Sequence, residues 1–146
     1  MEPKLTLSPT GEKIHYSVGA IISDNDGKIV MIDRLKSPFG FACPAGHVDE
    51  GETSTNAIIR EVEEETGLKV ESIMRLNIDA DETIPTEPCR HGVHNHQWII
   101  YDVKATGVLI LKEDEVKSIG WYTAEQIKTL QLETIWGYWL RKLNII

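Results

Sequence analysis

Residues 46–68 read GHVDEGETSTNAIIREVEEETGL. Thr53 is a good helix N-cap, no proline or glycine interrupts the segment before Gly67, and a glycine there can take the left-handed conformation that ends a helix. The stretch predicts a helix from about Ser54 to Thr66. At about 100° per residue, with Glu61 as the origin, Glu65 falls at about 40°, Glu64 at about 300° and Ala57 at about 320°. Three carboxylates therefore share one face beside a side chain too small to cover it. Ile58, Val62 and Ile59 fill the adjoining arc as an apolar stripe for the core, and Glu63 points the other way. Like charges at these spacings cost roughly 0.2–0.5 kcal/mol per exposed pair and more when desolvated. Arg60 can neutralise one of them but cannot serve three. Either the row is a solvated acidic face, or a hard divalent cation with oxygen ligands completes it.

Upstream, Ile14–Ser23 is dense in apolar residues, Asp24-Asn25-Asp26-Gly27 supplies turn chemistry, and an apolar run resumes from Lys28 to Asp33. This reads as a β-hairpin. An EF-hand reading of the acidic turn fails because Arg34–Phe39 lacks the closing glutamate. The polar stretch Glu2–Lys13 is expected to be partly loose, and Leu35–Phe41, with Pro38 and Gly40, to be a loop. Downstream, strands are expected over Lys69–Ile78, Gln97–Ala105 and Glu115–Trp121, with a long surface loop over Asp79–Val93. Two short helices close the chain, Thr123–Leu130 with a Thr123/Gln126 capping box and Thr134–Leu143. Trp136 and Trp139, three residues apart, are expected to anchor the second to the body or to another subunit. Strands mixed with few helices indicate the α/β class.

The 146 residues carry 15 basic and 23 acidic side chains, a net charge of -8, with 41% hydrophobic residues. That size and composition suit a single domain over residues 1–146. The negative charge supplies no long-range field for nucleic acid, so a phosphorylated ligand would have to be held locally. The start Met1-Glu2-Pro3-Lys4 lacks a signal-peptide pattern, and no stretch approaches a membrane span. A cytoplasmic protein with reduced Cys43 and Cys89 and no membrane partner is expected, either monomer or homodimer.

The stretch 46–68 resembles the signature of the Nudix hydrolases, G-x(5)-E-x(7)-R-E-U-x-E-E-x-G-U with U aliphatic. Gly46, Glu52, Arg60, Glu61, Val62, Glu64, Glu65, Gly67 and Leu68 fill every specified position. The preceding Cys43-Pro44-Ala45 looks like the family's entry to this box, and Glu115 six residues before Trp121 matches a later family feature. The resemblance implies an α/β/α sandwich with a central mixed sheet, holding Mg²⁺ or Mn²⁺. It implies that Glu61, Glu64 and Glu65 are metal ligands joined by the Ala45 carbonyl, and that Glu52 and Arg60 orient and balance charge. The implied reaction is in-line attack of water on one phosphorus of a diphosphate bridge in a small nucleotide derivative. Glu115 or Glu64 would be the general base, with Glu113 and Asp114 as neighbours that could substitute for Glu115. Arg34, at a strand end where the family often carries a phosphate-contacting arginine, is a substrate candidate. A catalytically silent Nudix-like sensor is the alternative.

The stretch Cys89–His96 concentrates three of the five histidines with a cysteine, but its spacing matches no common zinc pattern. It reads instead as a polar or substrate-contacting loop, with His94 and His96 alternating onto one face of the following strand. Phe39, Phe41, Tyr16 and Trp98 are candidates for stacking on a base. Specificity resides in the flanking loops. Pro85 and Pro88 fall where some ADP-ribose pyrophosphatases carry a marker proline, whereas the short chain leans toward nucleoside triphosphates or modified nucleotides.

Overall fold

A computed structural model describes residues 2–77, 83–85, 89 and 91–146. The elements in chain order are β1 (Leu5–Leu7), β2 (Lys13–Ile22), β3 (Ile29–Arg34), β4 (Gly40–Ala42), β5 (Ala45–His47), α1 (Ser54–Thr66), β6 (Lys69–Arg75), β7 (Thr83–Pro85), β8 (Asn95–Thr106), β9 (Val116–Tyr122), α2 (Ala124–Ile127) and α3 (Thr134–Lys142). The central pair is β2 and β8, parallel and in register from Ile14/Asn95 to Ile22/Val103. β1 and β5 pair antiparallel with β2, and β6 and β7 antiparallel with β8, so the sheet is mixed. A second sheet has the order β4-β3-β9.

Alternation along β2 and β8 builds a sandwich, because successive side chains leave a strand on opposite faces. On one face Val18, Ala20, Ile22, Tyr101 and Val103 meet Ala57, Ile58 and Val62 of α1. On the other, Ile21, Trp98 and Ile100 meet Ile127 of α2 and Ile135, Trp136, Trp139 and Leu140 of α3. The α/β/α arrangement follows directly. Trp136 and Trp139 are 1% and 2% exposed, as core anchors should be.

Several expectations are corrected. β2 and β3 are joined by the expected turn, where Asp24 Oδ1 accepts the Asp26 and Lys28 amides at 2.9 Å, but they do not form a hairpin. They enter different sheets and share only the isolated bridge Ser23/Ile29. The reason lies in β2, which is buried on both faces from Ser17 to Ile22 and takes its partners from β8, β5 and β1. The N-terminal stretch is paired through β1 rather than loose, and the expected loop 35–41 ends in β4. Within the stretch read as a long loop, residues 83–85 form β7. Residues 79–82, 86–88 and 90, including Pro88, lie outside the described residues. Among the described residues no helix is long and apolar enough to cross a membrane.

Candidate active site

Helix α1 forms where its caps predict. The Thr53 hydroxyl accepts the Asn56 amide at 3.1 Å, and Gly67, at φ 75°, donates its amide to the Glu63 carbonyl at 3.1 Å. Ala57, Ile58, Val62 and Thr66 are buried, which fixes the phase and brings the glutamate row against the short strand β5. Glu65 accepts the Ala45 amide at 3.1 Å, and Glu61 lies directly under Gly46. A Cβ built on Gly46 would stand 2.1 Å from the Glu61 carboxyl carbon. Any side chain there would have to displace the Glu61 carboxylate, a packing reason for a glycine at the head of the box. Glu63 is exposed on the far side and accepts the Val70 amide at 3.2 Å.

Arg60 binds more widely than expected. Its Nε and Nη2 grip the two Glu52 oxygens at 2.8 and 2.9 Å, and Nη1 donates to Glu61 at 2.7 Å and to Glu64 at 3.4 Å. Nη2 also donates to the His47 carbonyl at 3.1 Å and stands 3.4 Å from the Asp49 carboxylate. One guanidinium thus faces four acids. The two-pronged bond to Arg60 holds the Glu52 carboxyl below the usual carboxylate range. Burial pushes Glu61 and Glu65 the other way, Glu65 well above that range, with the neighbouring Glu61 charge adding to the effect. Two adjacent, partly buried carboxylates that resist ionising together call for a proton or a cation between them.

Beside this row opens a cleft lined by Arg34, Ala45, His47, His96, Trp98 and Glu133, with Pro38 and Trp136 among its apolar walls. Arg34 donates Nε to the Pro38 carbonyl at 2.7 Å, stands 4.0 Å from Glu133, and its charge favours ionisation of Glu65. The Trp98 indole N–H is buried without a hydrogen-bond partner among the described residues. Burial and the neighbouring His15 push His96 down to about 4, so its imidazole is neutral at physiological pH.

Of the residues singled out from the sequence, Ala45, Glu52, Arg60, Glu61, Glu64 and Glu65 come together in one network, and Arg34 and His96 line the adjoining cleft. For Ala45 the contact seen is made by its amide, to Glu65. Glu115 is exposed just ahead of β9, and its carbonyl accepts the Leu35 amide at 3.3 Å, which carries it to the strand end bearing Arg34. No hydrogen bond joins it to the helix glutamates among the described residues. Four candidates do not reach the cleft wall. Phe39 is 64% exposed; Phe41 packs edge-on against Tyr122 at 5.8 Å; and His94 is exposed ahead of β8 while His96 turns inward. Tyr16 lies on the α1 face, bonded to Thr6 at 2.9 Å.

Glu133 was missed. It immediately precedes α3, makes no side-chain cap, and is 9% exposed. Its amide donates to the Phe41 carbonyl at 2.9 Å, so the packing of α3 on β4 delivers its carboxylate to the cleft. The only local signal was an acid ahead of a helix start, which ordinarily means dipole complementarity.

The NUDIX domain family matches residues 13–143. An ADP-ribose pyrophosphatase of Methanocaldococcus jannaschii is 30% identical over 116 residues, 77% of this chain and 64% of that protein. An RNA pyrophosphohydrolase of Rhodospirillum rubrum is 35% identical over 69 residues, 47% of this chain and 42% of that protein. The chain therefore spans less than two thirds of the length of either relative. The NUDIX domain of Shewanella oneidensis NrtR, solved in complex with ADP ribose, superposes with a TM-score of 0.72 at 16% identity, covering 95% of this chain and 92% of that one. The chain belongs to the Nudix family.

Proposed function

We propose that this protein is a divalent-metal-dependent Nudix hydrolase that cleaves the pyrophosphate bond of a small nucleoside diphosphate derivative, with ADP-ribose the first substrate to test. The observation that carries the reading is the juxtaposition of Glu61, Glu64 and Glu65, the first two sharing Arg60 and the third buried against Glu61 and the Ala45 amide. The donor set is all oxygen, two of its carboxylates are partly buried against each other, and Arg60 leaves it with excess negative charge. A hard cation fits such a set better than a soft one. Glu61, Glu64 and Glu65, with the Ala45 carbonyl, would hold Mg²⁺ or Mn²⁺. Once bound, such an ion supplies electrophilic stabilisation of the diphosphate and makes water a better nucleophile.

The chain's own groups do the rest. Glu52 fixes the Arg60 fork, which in turn aims Glu61 and Glu64. Arg34 contributes a charge-assisted hydrogen bond to a phosphoryl oxygen. Glu64, its side chain 57% exposed and held among the described residues by the 3.4 Å contact to Arg60, would take a proton from the attacking water, and Glu115 is the second candidate. The cleft beside the row, with an apolar wall, Arg34 and Glu133, suits the remainder of a nucleotide. Two comparisons favour ADP-ribose: the Methanocaldococcus jannaschii relative is named an ADP-ribose pyrophosphatase, and the Shewanella domain was solved with ADP ribose. The net charge of -8 weighs against long nucleic acid as a substrate.

The test is a phosphatase-coupled release assay with Mg²⁺ or Mn²⁺ against ADP-ribose, other nucleoside diphosphate sugars, nucleoside triphosphates and a 5′-triphosphorylated oligoribonucleotide. Metal-dependent release from a small nucleotide is expected, reduced by roughly 10²-fold or more in Glu64→Gln and nearly unchanged in Glu63→Gln. Wild-type turnover in Glu64→Gln would overturn the assignment of that row. Binding of ADP-ribose by calorimetry with no turnover of any compound would instead make the protein a sensor.

A further inference from the structure

We propose that His15, His47, Cys89 and His96 form a structural zinc site that ties the turn following Cys89 to the central sheet at the edge of the substrate cleft. The four side chains come from separate places in the chain, and the sheet register brings them together. His15 on β2 is the register partner of His96 on β8, so their side chains leave the same face. Ser17, two residues along β2 and hence on that face, is paired with His47 of β5. Three imidazoles from three adjacent strands therefore converge above the sheet on the side of α3. Cys89 is supplied from above by a tight turn, in which its amide donates to the Val93 carbonyl at 3.1 Å and Gly92, at φ 74°, donates to the Cys89 carbonyl at 2.8 Å. Val93 is buried, which seats the turn.

The distances suit one ion. The donor atoms of all four residues lie within 4.8 Å of one another. His47 Nε2 and His96 Nε2 are 3.4 Å apart, and Cys89 Sγ is 3.7 Å from His15 Nδ1. Zinc with nitrogen ligands at about 2.0–2.1 Å and sulfur at about 2.3 Å has tetrahedral edges of roughly 3.3 Å between nitrogens and roughly 3.6 Å from sulfur to nitrogen. Both observed edges match within a few tenths of an ångström. Two separate hydrogen bonds, His47 to His96 and Cys89 to His15, would account for each contact by itself, but not for the approach of all four donor atoms to within 4.8 Å of one another.

The donor set separates this site from the glutamate row. Three nitrogens and one sulfur select a borderline-soft ion, whereas the row is all oxygen. Four protein ligands close the tetrahedron and leave no position for a water or substrate, the pattern of a structural rather than a catalytic zinc. His15 and His96 are 5% and 4% exposed, so a bound ion would be slow to leave. Binding displaces the Cys89 thiol proton to solvent and forms a zinc–sulfur bond, with no change of oxidation state. The His47 carbonyl that accepts Arg60 Nη2 lies on one of the ligating residues, so the ion would also stiffen the strand against which Arg60 is held.

The experiment uses the full chain without a polyhistidine tag, expressed in zinc-supplemented medium and dialysed against a mild chelator. Elemental analysis is expected to find about one zinc per chain. Cys89→Ser and His96→Ala should lose it, whereas Glu61→Gln should keep it. Replacing the ion by Co²⁺ gives a readout independent of stoichiometry: a thiolate-to-cobalt charge-transfer band with strong tetrahedral d–d absorption, the former abolished by Cys89→Ser. Folded wild-type protein with no bound zinc and no such band would overturn the proposal, as would zinc that survives Cys89→Ser and disappears in Glu61→Gln. No nucleotide enters these measurements, so their outcome is separable from that of the hydrolysis assay.

Discussion

Arg60 places one positive charge among Glu52, Glu61, Glu64 and Asp49, and the balance of that group decides how the site behaves without metal. Burial, reinforced by the Glu61 charge, opposes ionisation of Glu65 more than the Ala45 amide and the Arg34 charge favour it. A carboxyl whose folded pKa lies above its unfolded value adds stability below the unfolded pKa and loses it as pH rises through the folded one. Metal-free protein should therefore lose stability between the ordinary glutamate range and neutrality, and Glu65→Gln should remove part of that loss. The introduced amide can still accept from Ala45 and can donate to Glu61. In EDTA at neutral pH the variant is expected to melt higher than wild type, by a shift of order 1 kcal/mol. In saturating Mg²⁺ the order should reverse, because the charged carboxylate binds the ion more tightly than the neutral amide. Calorimetric melting with and without metal checks both signs, and a lower melting temperature for the variant in EDTA would show that Glu65 is stabilising as a charge.

At the scale of elements, the site is an encounter between one helix and one three-residue strand. β5 presents the Ala45 amide to Glu65 and the bare Cα of Gly46 to Glu61. Gly46→Ala would set a methyl group where the Glu61 carboxylate now lies, and that carboxylate must move by more than an ångström. Displacements of that size at a reacting centre can cost roughly 10²-fold in rate. The expected result is a comparable loss in turnover with a weakened metal requirement curve, while the far-ultraviolet dichroism of α1 is unchanged. Near-wild-type activity would show that Glu61 has another place to sit. How much of this was legible beforehand varies with distance along the chain. The helix, its caps and its phase were readable, because the apolar stripe and the end signals are local. The partner strand was not: β5 is too short to show a pattern, and its pairing with β2 is a contact between residues far apart in sequence.

For the whole molecule, the face of β2 opposite α1 carries the consequences. Gly19 lies beneath Trp136, whose ring carbons would stand 2.5 and 2.6 Å from a Cβ there. The indole is 1% exposed and cannot tilt into solvent to make room. Gly19→Ala should overpack this interface and destabilise the protein by about 1–3 kcal/mol. A fall in the denaturant midpoint with an altered tryptophan emission spectrum would report it, and an unchanged midpoint would mean that α3 is free to shift. The same packing sets Glu133 at the cleft and closes its wall with Trp98 and Trp136.

The sequence by itself determined the α1 helix, the glutamate row with its arginine, the family, and the pairing of chemistry with charge, because each depends on residues within about one helix length. The fold decided which distant residues share a face. It split an apparent hairpin between two sheets, left Phe39, Phe41 and His94 off the cleft wall, and delivered Glu133 by packing α3 on β4. It also gathered His15, His47 and His96 from three strands around Cys89. Spacing along the chain carries no trace of such a cluster, because a sheet brings its neighbours together by register and not by order.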